Sequence, residues 1–297
     1  MIVQQSAKIH SLIRYVGWPL LSLLIWDVAV TVGYYFVHDD GLDLPSLPVT
    51  LFGSALVLFL GLRNNAAYAR WWEARTLWGA VVNASRSFSR EALFLIRDQP
   101  QTAVLRETLV QRQVAFAHAL RLHLLRLDNQ ETLMRLLPQE AESLRRYSNV
   151  PNALLSRNAA DLRRAVQEGW LDAYERVRIE ATLVDLSNAQ GGLERIKNTP
   201  LPKQYGQYPK FFVSAFCVLL PVGLVDSLWV YTPLASTIVG FLLLTIEKMG
   251  KDLQDPFSNE IHDVPMASIC STIQIDLMES IGAPAPRPAQ SVGGVLW

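Results

Sequence analysis

Residue types that usually carry out chemistry are sparse and scattered along this chain of 297 residues. The closest pair among its five histidines, His118 and His123, is five positions apart, whereas two metal ligands on one helix face would be four apart. The sequence contains no phosphate-binding loop, dinucleotide fingerprint, zinc signature or nucleophile elbow. It therefore predicts a protein that is not an enzyme and that requires no cofactor.

Two other patterns suggest a path for ions. Asp27 lies in the middle of an apolar stretch, where an ionised carboxylate facing lipid would cost ~3 kcal/mol or more, so it should face protein or water. Ser54, Leu58 and Leu62 follow at four-residue intervals and share one helix face. Such a stripe either packs against another helix or, around a symmetry axis, forms a hydrophobic constriction that gates by dewetting. For Asp27, the alternatives are a buried packing residue and a pore residue.

The elements that carry these residues are four apolar stretches in two pairs, at 15–37, 47–62, 211–231 and 233–246. Crossing a bilayer takes about 20 apolar residues, so the first and third stretches are long enough to span it. The second and fourth are short and would need to tilt or to continue through polar residues that face protein. We therefore predict four transmembrane helices.

Basic residues flank the four stretches on one side only. They are Lys8, Arg14, Arg63, Arg70, Arg75, Lys203, Lys210, Lys248 and Lys251. The loop within the first pair is instead acidic, with Asp39, Asp40 and Asp43. The positive-inside rule then predicts a multi-pass protein of the inner membrane with both termini and the middle of the chain in the cytoplasm. A formal net charge of zero gives no indication of nucleic-acid binding.

The middle of the chain is helix-patterned throughout, and no segment has the alternation typical of strands. The second stretch continues past Arg63 without an obvious stop, which predicts one unbroken helix. We expect a bundle of four or five helices, with loops near Pro100 and at 148–152. The predicted domains are 1–62, with the first helix pair; 63–205, the cytoplasmic bundle; 206–250, the second pair; and 251–297, a cytoplasmic segment and tail. The fold class is all-α.

Three segments resemble signatures of the bestrophin family in its bacterial branch. They are GLRNNAAYARWWEARTLWG at 61–79, GGLERIKNTP at 191–200 and DLQDPF at 252–257. The resemblance covers nearly the whole chain in the same order. It implies a homopentamer in membrane lipid, in which five chains surround one continuous pore that passes monovalent ions.

The resemblance also assigns positions along that pore. The family's neck falls on Ser54, Leu58 and Leu62, and its narrow cytosolic aperture falls on Tyr174. Asp172 is then either a charge at the rim of the aperture or a solvated surface residue. The sequence departs from the family's usual pattern at two of these positions. Ser54 replaces a large apolar neck residue, and the phenol of Tyr174 occupies the aperture.

Calcium regulation is a further implication of the resemblance to calcium-gated relatives. The corresponding acidic residues are Asp252, Asp255, Glu260 and Asp263. Ile261 and His262 interrupt the run of oxygen ligands, and calcium needs six or more of these. The same stretch could instead cap a helix and contact a neighbouring subunit.

Ion selectivity is the last expectation. The eukaryotic relatives are calcium-activated anion channels, whereas the bacterial branch looks more permeable to cations, and the acidic loop would attract cations. We expect a cation-permeable channel, with a chloride or other anion channel of the same architecture as the alternative. A membrane scaffold without conduction and a secondary transporter with a helix broken near Pro221 are the remaining alternatives.

Overall fold

The computed structural model describes residues 14–37 and 48–291, and within them all regular structure is helical. The helices are α1 (Trp18–Val37), α2 (Val49–Phe94), α3 (Ala103–Leu125), α4 (Gln130–Leu136), α5 (Pro138–Leu144), α6 (Val150–Gln167), α7 (Ala173–Asn198), α8 (Lys203–Leu228), α9 (Thr232–Asp252) and α10 (Met266–Ser280). The predicted all-α class is confirmed, and so is the unbroken helix through Arg63. The acidic loop with Asp39, Asp40 and Asp43, as well as Lys8, lies outside the described residues.

Three stretches of the described chain are long and apolar enough to cross a membrane, namely Trp18–Phe36, Val49–Phe94 and Lys203–Asp252. The third stretch contains both α8 and α9, which are joined by the 3-10 turn Trp229–Tyr231. It therefore includes both predicted helices of the second pair. Pro221 lies inside α8, where it removes one backbone donor from the helix.

The chain forms two compact units. The apolar unit comprises α1, the beginning of α2 as far as Trp71, α8 and α9, and α1, α8 and α9 pack against one another. Its buried core is small and consists of Leu23, Leu56, Leu60, Val213, Cys217 and Leu243. Many of its other apolar side chains are exposed, as expected of helices that lipid or another subunit covers.

The bundle unit comprises the rest of α2 from Trp72, α3 to α7, and α10. Five whole helices lie between Ala103 and Asn198, in agreement with the expected four or five. Helix α3 is at the centre and packs against α4, α6, α7 and α10. The predicted loop at 148–152 is confirmed only for Ser148 and Asn149, because α6 begins at Val150 with Pro151 in its first turn, where a missing N–H costs nothing.

An ion-pair network around the buried Arg112 holds α3, α5 and α6 together. Arg112 Nη2 lies 2.6 Å from Glu140 Oε1 and its Nη1 lies 3.0 Å from Asp161 Oδ2, while Arg157 also pairs with Glu140 at 2.8 Å. Burial raises the pKa of Glu140, but the two arginines outweigh it and hold that pKa below its ordinary value. The carboxylate therefore stays charged near neutral pH.

Candidate functional site

Helix α2 has two opposite faces in the apolar unit. Leu56 and Leu60 are 7% and 1% exposed and belong to the core, whereas Leu58 and Leu62 are 67% and 59% exposed. Residues two positions apart on a helix differ by about 200° in direction, so the neck stripe of Ser54, Leu58 and Leu62 lies on the side opposite the core. The three predicted neck residues therefore share one outward face that carries no charge.

Ser54 differs from the two leucines because it is polar. Its hydroxyl donates a hydrogen bond of 2.8 Å to the carbonyl oxygen of Thr50, one turn earlier in α2. This local bond satisfies the hydroxyl proton within the helix, as serine commonly does. The Oγ lone pairs remain available on the outward face.

Arg63 fixes the end of the neck stripe to two other helices. It is fully buried, and its Nη1 donates to the backbone oxygen of Glu247 in α9 at 2.7 Å. Its Nε donates to the backbone oxygen of Tyr205 in α8 at 3.1 Å. The adjacent Asn64 donates from Nδ2 to the backbone oxygen of Ile246 at 2.9 Å.

Sequence reasoning treated Arg63 only as a basic flank and as part of a family signature. An arginine followed by an asparagine directly after an apolar stretch was the available signal, because a basic side chain at that point can turn back to bond the carbonyls of neighbouring helices.

Asp27 is fully buried and faces protein, as its cost in lipid requires. Its two carboxyl oxygens accept hydrogen bonds from the hydroxyls of Ser236 at 2.9 Å and Thr237 at 2.8 Å. Both donors belong to α9, so the carboxyl group joins α1 to α9. These contacts give Asp27 the packing role that was one of its two predicted alternatives.

The two residues predicted at the aperture lie together at the start of α7. Asp172 is the N-cap residue of this helix: its Oδ1 accepts from the backbone N–H of Glu175 at 2.8 Å, and Glu175 Oε2 accepts from the backbone N–H of Asp172 at 2.9 Å. This reciprocal capping box accounts for the presence of an aspartate at position 172 through local hydrogen bonds. Tyr174, two residues later, is 89% exposed.

The four acidic residues of the predicted calcium or subunit-contact region have different surroundings. Asp252 accepts a hydrogen bond from the hydroxyl of Tyr15. Asp263 is buried, and its Oδ2 accepts from the backbone N–H groups of Ser258 at 2.7 Å and Glu260 at 3.0 Å, which closes a tight turn. Asp255 and Asp252 belong to the apolar unit, whereas Glu260 and Asp263 belong to the bundle unit.

In the part of the chain that the structure describes, no three or more His, Cys, Asp or Glu side chains are grouped so that they could hold a metal ion.

Comparison with known proteins gives a consistent result. A family model for bacterial and fungal bestrophin proteins matches residues 6–279. A voltage-dependent anion channel-forming protein from Ralstonia nicotianae is 38% identical over 267 residues, which is 88% of this chain and 86% of that protein. A protein of the same description from Escherichia coli is 34% identical over 272 residues, covering 91% of this chain and 88% of that protein.

Similarity to solved structures agrees with these sequence matches. The crystal structure of a bacterial bestrophin homologue from Klebsiella pneumoniae superposes with a TM-score of 0.84 at 30% identity, covering 89% of this chain and 98% of that one. The family match spans most of the chain and includes all the residues assigned to the neck and the aperture. The chain is therefore a member of the bacterial and fungal bestrophin family.

Proposed function

We propose that this chain forms an ion channel in which several copies surround one axis and the neck stripe of α2 lines the membrane part of the pore. The observation that carries the proposal is the two-faced α2 helix, whose core face is buried within the chain and whose opposite face is uncharged and exposed. The curated relatives, which are named as channel-forming proteins, support it. They also support the prediction that the chain is not an enzyme.

The proposed assembly is a homopentamer of four-span chains in the inner membrane, surrounded by membrane lipid, with the bundle unit and both termini in the cytoplasm. The family membership and the basic flanks of the apolar stretches support this arrangement. Ions would pass passively through the neck and leave by an aperture at Tyr174, whose exposed ring is free to contact ions or another subunit.

The leucines give the neck its gating mechanism. A ring of Leu58 and a ring of Leu62 would make a narrow apolar segment in which a water column is unstable, so the neck conducts only when it widens enough to stay wet. No charged side chain lies on this stripe to hold an ion there. Conduction is then controlled by the diameter of the neck.

Two ion preferences follow from different observations. The sequence predicts cation permeability from the acidic loop and from the resemblance to the bacterial branch. The names of the relatives from Ralstonia nicotianae and Escherichia coli favour the anion alternative. Planar-bilayer recording across a NaCl gradient separates them, because the current reverses near the sodium equilibrium potential in one case and near the chloride potential in the other.

The same recording tests the proposal itself. If the purified, assembled protein passes no current at any voltage, with or without micromolar calcium, the channel proposal is refuted and the membrane scaffold becomes the favoured alternative. We expect current without calcium, because Asp263 Oδ2 already accepts two backbone hydrogen bonds and is therefore a poor ligand for a metal. Current that appears only with calcium would restore the acidic region as a gating site.

Substitutions in the neck locate the path. Leu58→Ala and Leu62→Ala should each increase conductance or open probability, since a smaller side chain widens the neck and lets it stay wet. Leu242→Ala is the matched control, because Leu242 is an equally exposed leucine, at 53%, on α9. Currents that are unchanged in both neck variants would remove these side chains from the pore.

A further inference from the structure

The last neck residue directly precedes the buried Arg63, and this arginine is held by α8 and α9. Its three side-chain nitrogens differ in their contacts. Nε and Nη1 donate to backbone oxygens of Tyr205 and Glu247, whereas Nη2 lies 3.8 Å from Glu247 Oε1, too far for a hydrogen bond. The carboxylate therefore balances the charge of a guanidinium that the backbone oxygens hold in place.

Gly250 provides the space for this contact. A Cβ atom at Gly250 would overlap Asn64 Oδ1 and would lie 2.8 Å from Asn64 Cγ and 2.9 Å from Arg63 Nη1. Contacts this short do not occur for real Cβ atoms, so any larger residue there must push the Arg63 and Asn64 side chains away from α9. The close approach of the Arg63 and Asn64 side chains to α9 at this point depends on glycine.

The direction of the neck side chains is coupled to this contact. Consecutive residues of a helix are about 100° apart, so fixing the Arg63 side chain on α9 fixes the direction in which Leu62 points. Leu58, one turn earlier, lies on the same stripe, so its direction changes together with that of Leu62. A shift of α2 at Arg63 therefore rotates or displaces both leucines together.

We propose that Arg63, Glu247 and Gly250 are positioning residues for the neck, which set the rotation of α2 and hence how far Leu58 and Leu62 project into the pore. The inference rests on the proposed channel function. Arg63 and Glu247 do not contact the ion in this arrangement. They act through the leucines, and the width of the neck responds to changes in a contact on a different face of the helix.

Gly250→Ala tests the proposal in single-channel recordings of the purified, assembled protein. We expect at least a twofold change in unitary conductance, because the added methyl group would push the Arg63 and Asn64 side chains off their partners on α9 and so release the contact that holds α2 in place. Gly33→Ala is the matched control, since Gly33 lies in α1 and has nothing within 4 Å of where its Cβ would be. The control should keep the wild-type conductance. A glycine with only a structural role would change the yield or the unfolding temperature of the assembly but not the conductance of the channels that form.

A double-mutant cycle shows whether the effect passes through the neck. If Gly250 acts by moving Leu62, then Gly250→Ala in a Leu62→Ala background should change conductance much less than in the wild type. Additive effects of the two substitutions would overturn the proposal. Glu247→Gln is the replacement test variant if Gly250→Ala does not assemble. It should also alter unitary conductance, because it leaves the charge of Arg63 unbalanced.

The outcomes separate this inference from the function on which it rests. A wild-type protein without current refutes the channel itself. If the wild type conducts and Leu62→Ala changes its conductance, but Gly250→Ala and Glu247→Gln leave conductance unchanged, the channel stands and the positioning role is refuted.

Discussion

His118 should make the bundle unit lose stability as the pH falls below 6.5. Its side chain is only 9% exposed, and its Nε2 is 3.0 Å from Gln274 Oε1 on α10. Burial lowers the pKa of His118 from 6.5 to about 4, and the nearby Arg121 and Arg135 lower it further, while the hydrogen bond to Gln274 acts in the opposite direction. The folded protein thus resists a proton that the unfolded chain accepts.

The sign and size of the effect follow from this difference. The folded pKa lies below the unfolded value, so the unfolded state binds more protons between these two values and stability decreases as pH falls through that window. The loss is about 2 kcal/mol at pH 5 and approaches about 3 kcal/mol below pH 4, and it is absent above pH 7. Glu140, whose pKa is lowered, adds its own loss only at more acidic pH.

Thermal unfolding of the detergent-solubilised protein at pH 7.5 and pH 5 measures this loss. His118→Gln keeps a donor for Gln274 but removes the titration, so the wild-type midpoint should fall by about 4 °C more than that of the variant. His123→Gln is the matched control, a partly exposed histidine of the same helix, and should retain the full wild-type decrease. Parallel pH dependence of wild type and His118→Gln would refute the reasoning.

Three other substitutions give separate tests. Gly240→Ala places a methyl group against Leu23 and should destabilise the protein by about 1–3 kcal/mol, measured as a lower unfolding midpoint. Asp27→Leu leaves the hydroxyls of Ser236 and Thr237 without their acceptor and should cost about 1–3 kcal/mol. Asp27→Asn keeps one carbonyl acceptor and should cost less, and equal unfolding midpoints for the two variants would contradict this. Asp172→Ala should lose about 1 kcal/mol through the missing cap whereas Asp172→Asn should not, so bilayer recordings of Asp172→Asn measure the rim charge alone.

Features with a periodic pattern could be predicted from the sequence. The exposed stripe of Leu58 and Leu62 and the buried positions of α3 follow from the 3.6-residue repeat, which determines which side chains share a face. The unbroken α2 helix follows from the scarcity of helix breakers after the second apolar stretch, since residues 63–94 contain no proline and only one glycine, Gly79. The predicted roles of Ser54, Leu58, Leu62 and Tyr174 in conduction stay predictions.

Contacts between distant segments could not be predicted. Arg63 and Glu247 are 184 residues apart, and no local pattern specifies that one will bond the backbone of the other. Gly250 has no sequence signal either, because a glycine in a helix indicates a close approach only when the neighbouring helix is known. Asp263 was grouped with potential calcium ligands because its type is suitable, whereas its backbone partners depend on how the turn folds.

The hydrogen bond of Ser54 has a consequence for which ions the neck favours. Its proton is directed along α2 to the Thr50 carbonyl, so a symmetric ring of Ser54 side chains would present only oxygen lone pairs to the axis. Such a ring would favour a cation over chloride, because an anion needs hydrogen-bond donors. Turning the hydroxyl toward an anion would first break a bond worth about 1 kcal/mol in each subunit. If the proposed ring forms, a single intrahelical hydrogen bond, repeated by symmetry, would set the electrical polarity of the pore entrance.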